Sequence, residues 1–145
     1  MKQLQCVVIG CGAIGPIHME AIVACDAANL YGVCDILPER AQRYSQQYRC
    51  KAFSSIEEVL SDPAVDSVHI CTPHYLHVPM ALAAAKAEKR IVLEKPIAMN
   101  TKDAAIVAQA LENIPCCAIF QNRYNPCVKR MKHAVDKHTY GELLG

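Results

Sequence analysis

Three groups of residues have the types and spacing that chemistry requires: a lysine between an acid and a proline at 94–96, a carboxylate at 35, and glycines at 10, 12 and 15. Lys95 follows the apolar run Ile91-Val92-Leu93. That places it at the C-terminal end of a strand, where parallel sheets hold their ligands. An amine there can share a hydroxyl proton or stand against a developing alkoxide, and as a base it needs its pKa lowered by burial or nearby positive charge. The competing reading is a surface lysine paired with Glu94.

The other two groups describe what is held beside that amine. Cys6-Val7-Val8-Ile9 runs into Gly10-Cys11-Gly12-Ala13-Ile14-Gly15, and Ile14, Ile17, His18, Ala21, Ile22 and Cys25 then recur at helical spacing. Strand, glycine turn and helix N-terminus together suit a phosphate, because the first-turn N–H groups are unpaired and partly positive. Gly10 makes the turn, Gly12 lets backbone approach a pyrophosphate, and Gly15 lets the helix pack closely. Twenty residues beyond Gly15, the run Asn29–Cys34 ends on Asp35, where an acid accepts from an adenosine ribose. An adenine dinucleotide is the expected ligand. Asp35 repels a 2′-phosphate and so favours NAD. Arg40 can stack on adenine or meet that phosphate, which leaves NADP open. Cys11 is expected to be exposed before the cofactor binds, with no catalytic role.

These residues need a frame. After Asp35, Pro38 opens a helix to about Tyr48 with Ala41, Tyr44 and Tyr48 on one face. Ala52-Phe53 is a third strand, and Ser55-x-x-Glu58 is a capping box. Ser67–Cys71 is a fourth strand ending at Thr72-Pro73, followed by a helix from about Leu76 to Glu88 with Val78, Leu82 and Ala85 inward. Ile91–Leu93 is the fifth strand. Asn100-x-x-Asp103 caps a helix to about Asn113, and Cys117–Phe120 is the sixth strand. This alternation predicts an α/β, doubly wound parallel sheet of order 3-2-1-4-5-6 with helices on both faces. The ligand crevice then falls between strands 1 and 4. A final helix to about His138 has Val128, Met131 and Val135 inward, and Tyr140–Gly145 reads as the opening of a further element. We expect a dinucleotide-binding domain over 1–122, with a connecting helix and the start of a truncated second domain over 123–145.

Composition limits the alternatives. Among 145 residues, Lys and Arg number 15 against 14 Asp and Glu, so no field favours nucleic acid. Nine cysteines without a CxxC pair suggest a reducing cytoplasm. No signal segment is expected, and no run is long enough to cross a bilayer. The histidines lack paired ligand spacing, so no metal is expected.

Cys71-Thr72-Pro73 with His77, Glu94-Lys95-Pro96, Arg123-Tyr124-Asn125-Pro126 and Gly141-Glu142-Leu143-Leu144-Gly145, added to Gly10–Gly15 and Asp35, resemble the N-terminal half of the Gfo/Idh/MocA family. The resemblance covers essentially the whole chain. It implies NAD(P)-dependent oxidation of a carbinol, or the reverse reduction, on a sugar, cyclitol or similar small molecule. It also implies a second α/β domain, absent here, that completes the substrate pocket and joins copies into a homo-oligomer. The resemblance makes Lys95 the catalytic residue, either as base or as electrostatic partner to a histidine of that domain, and implies a cis bond before Pro96. Glu94 is expected to orient the nicotinamide end or Lys95. Cys71, Thr72, Pro73 and His77 are expected on the nicotinamide half of the cofactor. Asn122 or Arg123 reaches the nicotinamide carboxamide or substrate, with Tyr124 beside them, or else this turn only packs between domains.

Two other classes are considered. A non-enzymatic module sensing NAD(H) would need only this domain, but gives Glu94-Lys95-Pro96 no purpose. A methyltransferase shares the glycine turn and acid, but gives Cys-Thr-Pro no purpose.

Overall fold

The computed structural model describes residues 2–142. Six strands, β1 (Leu4–Ile9), β2 (Ala28–Cys34), β3 (Lys51–Phe53), β4 (Ser67–Ile70), β5 (Arg90–Leu93) and β6 (Cys116–Ala118), form one sheet of order β3-β2-β1-β4-β5-β6. Every pairing is parallel. The central strand β1 is flanked by the crossovers of both halves, so both its faces are covered and Cys6, Val7, Val8 and Ile9 are all buried.

Alternation along the strands divides the core. Val7 and Ile9 join Val68, Ile70, Ile91 and Leu93 beneath α3 (Ile56–Ser61), α4 (His77–Lys86) and α5 (Thr101–Ala110). Cys6 and Val8 join Leu30 and Val33 beneath α1 (Gly15–Val23) and α2 (Pro38–Tyr48). The expected α2 face is found, with Ala41, Tyr44 and Tyr48 in this second cluster.

Helix starts follow their caps. Ser55 Oγ accepts the Glu58 N–H at 3.2 Å, but the Glu58 carboxylate reaches back one residue further than a standard capping box, to Ser54 N–H at 2.8 Å. Asn100 Oδ1 accepts the Asp103 N–H at 2.9 Å.

Three expected faces are corrected. On α1 the buried residues are Gly15, His18, Met19 and Ile22, while Ile17 is 57% exposed, Ala21 also faces outward, and Cys25 lies exposed beyond the helix end. The contact of Gly15 with the glycine turn fixes the rotation of the helix, and hydrophobicity alone misassigns it. On α4 Val78 and Ala85 pack half-buried on the core as expected, but Leu82 does not join it and the fully buried residues are His77, Ala81 and Ala84. A 3-10 turn, His74–Leu76, precedes this helix and brings His77 onto its inner face. On α6 (Pro126–Asp136) Met131 and Val135 are exposed, because the helix packs chiefly on the preceding 3-10 turn Gln121–Tyr124 and lies off the sheet. β6 also comes earlier than expected, which leaves Phe120 outside it. The apolar opening expected at Leu143-Leu144 lies outside the described residues. Among the described residues, no helix is long and apolar enough to cross a membrane.

Candidate functional site

The glycine turn is built by close packing. Gly10 has φ +99°, and a Cβ there would fall 2.6 Å from the Cys71 carbonyl oxygen. A Cβ on Gly15 would run into the carbonyl oxygen of Gly10, whereas one on Gly12 would meet nothing within 4 Å. The turn is therefore locked to β4 and α1 at its two ends and open in its middle. The first turn of α1 has no acid and no side-chain cap; Pro16 carries no N–H and the Ile17 N–H is taken by the Ile14 carbonyl, so the amides of Gly12 to Gly15 are those that can meet an anion.

Asp35 closes the opposite edge. Its Oδ2 accepts the Cys11 N–H at 2.6 Å and its Oδ1 accepts the Leu37 N–H at 2.9 Å. Each carboxylate oxygen keeps a second lone pair, so ribose hydroxyls can be bound without breaking either bond. The expected exposure of Cys11 is corrected. Its side chain is buried beneath the turn, with Sγ 3.7 Å from the Cys34 carbonyl. Burial, reinforced by Asp35, pushes the thiol up to about 12, so it is neither a nucleophile nor a ready target for oxidation.

A cavity of about 620 Å³ opens between these walls. Of the expected site residues, Gly10, Gly12, Ala13, Ile14, Asp35, Arg40, Cys71, Thr72 and Pro73 line it. Its volume, its open glycine and Asp35 at its edge fit an adenine dinucleotide. The far wall is Ser54, Ser55, Ile56 and Glu57, with Tyr75, Leu76 and Met80 closing the α4 side. Sequence reasoning missed these residues, having read Ser55 only as a helix cap. The order 3-2-1 was the available signal, since it sets the end of β3 beside the end of β2.

The remaining expected residues lie elsewhere. Gly15 and Cys11 support the turn from below. His77 is fully buried, not on the cleft wall, with Nδ1 2.7 Å from the Pro96 carbonyl and Nε2 2.9 Å from the Thr72 carbonyl. Lys95 is exposed at the end of β5, and the Lys95–Pro96 bond is cis. Asn122, Arg123 and Tyr124 are exposed on the 3-10 turn after β6, with Arg123 over the Phe120 ring at 5.4 Å. None of these five lines the cavity.

Glu94 does not pair with Lys95. It turns inward, where Oε1 lies 3.1 Å from His18 Nε2 and Oε2 accepts the Lys95 N–H at 3.1 Å. His18 Nδ1 in turn lies 3.0 Å from His69 Nδ1. A carboxylate only accepts, so His18 donates from Nε2, and one of the two facing Nδ1 atoms donates to the other. This chain from α1 through β4 to β5 was not visible in the sequence, because three residues 18, 69 and 94 share no spacing rule. Burial and then the neighbouring His18 hold His69 down to about 4, against 6.5 for an ordinary histidine. The unfolded chain binds that proton first, so stability is complete above pH 6.5 and falls as pH drops toward 4. The loss is on the order of 2–3 kcal/mol. Thermal melts from pH 7.5 to 4.5 are expected to show this decline, and His69→Asn is expected to flatten it. An equal decline in both proteins would exclude His69 as its source.

Among the described residues no group of His, Cys, Asp and Glu side chains could hold a metal ion. All nine cysteines are free thiols.

Comparison with known proteins places this geometry. A family model described as "Oxidoreductase family, NAD-binding Rossmann fold" matches residues 4–121. The chain is 31% identical over 138 residues to myo-inositol 2-dehydrogenase of Thermotoga maritima, covering 93% of this chain and 41% of that protein. It is 32% identical over 136 residues to UDP-N-acetylglucosamine 3-dehydrogenase of Acidithiobacillus ferrooxidans, covering 92% and 42%. Among solved structures, the WlbA dehydrogenase of Bordetella pertussis, in complex with NADH and UDP-GlcNAcA, superposes with a TM-score of 0.91 at 29% identity over 97% of this chain and 41% of that one. The chain thus spans about two-fifths of the length of these relatives.

Proposed function

This chain belongs to the Gfo/Idh/MocA oxidoreductases as their NAD-binding Rossmann domain, and we propose that it serves a dehydrogenase moving hydride between nicotinamide and the carbinol carbon of a sugar or cyclitol. The observation that carries the reading is the cavity between β1 and β4, walled by an open Gly12 and by Asp35. The bound dinucleotide would supply the hydride acceptor or donor. The chain's own residues do the rest. Amides of Gly12 to Gly15 meet the diphosphate, Asp35 takes the ribose hydroxyls, and Ser54 to Glu57 border the adenosine end. Thr72 and Pro73 face the nicotinamide half. Lys95 holds or removes the proton of the reacting hydroxyl, with Glu94 fixing its backbone amide. Asn122, Arg123 and Tyr124 stand toward the substrate side.

We place the boundary of the dinucleotide domain near 122, with α6 as the connection outward. Relatives acting on inositol and on a nucleotide sugar support a polyhydroxylated substrate of this kind. Free thiols throughout fit a reducing cytoplasm. Assembly of copies through a further domain is part of the same reading.

Asp35 and Glu57 both border the adenosine end, so NAD is favoured over NADP. Fluorescence titration is expected to give NADH a Kd at least about tenfold below that of NADPH, the usual scale of one unfavourable charge contact. Equal or tighter NADPH binding would reverse the preference, and saturable binding of S-adenosylmethionine with none of NADH would overturn the function itself.

A further inference from the structure

The cleft has two working loops, and a single buried ring joins them. Thr72 lies in the loop after β4 and lines the dinucleotide cavity. Pro96 lies in the loop after β5, directly after Lys95. His77, with no exposed surface, sits between the two carbonyls at 2.9 and 2.7 Å. From this, and resting on the function proposed above, we infer that His77 is a positioning residue, which sets the spacing between the loop that holds the cofactor and the loop that carries Lys95.

The argument is one of shape and donors. Backbone pairing between β4 and β5 ends at Ile70 and Leu93, with one further bond from the Glu94 N–H to the Ile70 carbonyl. Past that point the ladder no longer holds the loops together. An imidazole presents two nitrogens at fixed separation on a rigid ring, so it can span two carbonyls without freedom to lengthen. Carbonyl oxygens only accept, and each ring nitrogen lies at hydrogen-bond distance from one of them. An apolar residue here would leave two buried acceptors unmade. The ring of His74 meets it edge-on, with centroids 5.6 Å apart, and is the titratable neighbour on the adjoining 3-10 turn. The small residues Ala81 and Ala84 on the same face of α4 let the helix approach the sheet closely enough for the reach.

Two isosteric variants separate the halves of the tether. The side-chain nitrogen of asparagine stands in for Nδ1, and that of glutamine for Nε2. His77→Asn therefore keeps the Pro96 bond and loses Thr72, while His77→Gln does the reverse. In the 145-residue chain, H77N is expected to weaken NADH binding about tenfold, the scale of one lost bond to a buried carbonyl. It is expected to leave amide exchange at Ile97 and Ala98 as in the wild type. H77Q is expected to keep NADH affinity within about twofold and to speed exchange at Ile97 and Ala98. A His77→Ala variant that folds is expected to show both defects. Identical behaviour of H77N and H77Q would overturn the tether. If the wild type itself fails to bind NADH, the proposed function falls, while amide exchange in H77N and H77Q still decides the role of His77.

Discussion

Gly15→Ala is expected to cost the chain about 3 kcal/mol or more of stability, because the new methyl has nowhere to go. Its position is occupied by the Gly10 carbonyl, which is itself fixed: Gly10 has φ +99° and lies against the Cys71 backbone. Relief would require moving α1 off the sheet, and Met19 and Ile22, both buried on the same face of that helix, would lose their packing. Gly12→Ala is the matching control. Nothing lies within 4 Å of its new methyl, so urea denaturation is expected to match the wild type within about 0.5 kcal/mol. That methyl instead projects into the cavity, and NADH affinity is expected to fall at least about tenfold. Two alanines three residues apart in one turn thus separate folding from binding. If Gly12→Ala bound NADH normally, the diphosphate would not lie over the open middle of the turn. If Gly15→Ala melted like the wild type, the packing described for α1 would be wrong.

Lys95→Ala is the second large effect, and it falls on rate. Lys95 is exposed and lines no wall of the dinucleotide cavity, so NADH binding is expected to change by less than about threefold. In a protein of the full length of its relatives, turnover is expected to fall by roughly 10²–10⁴, the range for losing a proton-transfer group. The backbone at 94–96 is held without the amine, through Glu94 to His18 and through the Pro96 carbonyl to His77. Removal of the side chain therefore tests the amine and not the loop. Normal turnover in this variant would take Lys95 out of the mechanism. Loss of NADH binding in step with turnover would make it a cofactor contact and not a proton carrier.

Short-range pattern determined a large part of this protein. Strand, glycine turn and helix are adjacent in the chain, so spacing alone brings Gly10, Gly12 and Asp35 to one cavity with Gly15 packed beneath it, and right-handed crossovers then left one sheet order. The caps at Ser55 and Asn100 are local in the same way. Only the tertiary structure decided which way side chains turn once elements pack. The rotation of α1 came from Gly15 on a carbonyl and not from its apolar residues. Cys11 went under the turn, where it joins the buried cluster of Val8 and Val33. Glu94 turned to His18 and His77 to two carbonyls, since a buried polar group goes where its hydrogen-bond partners are, and those partners lie up to 76 residues away in the chain. Spacing reveals which residues share an element, while the choice of partner is made by desolvation across the fold.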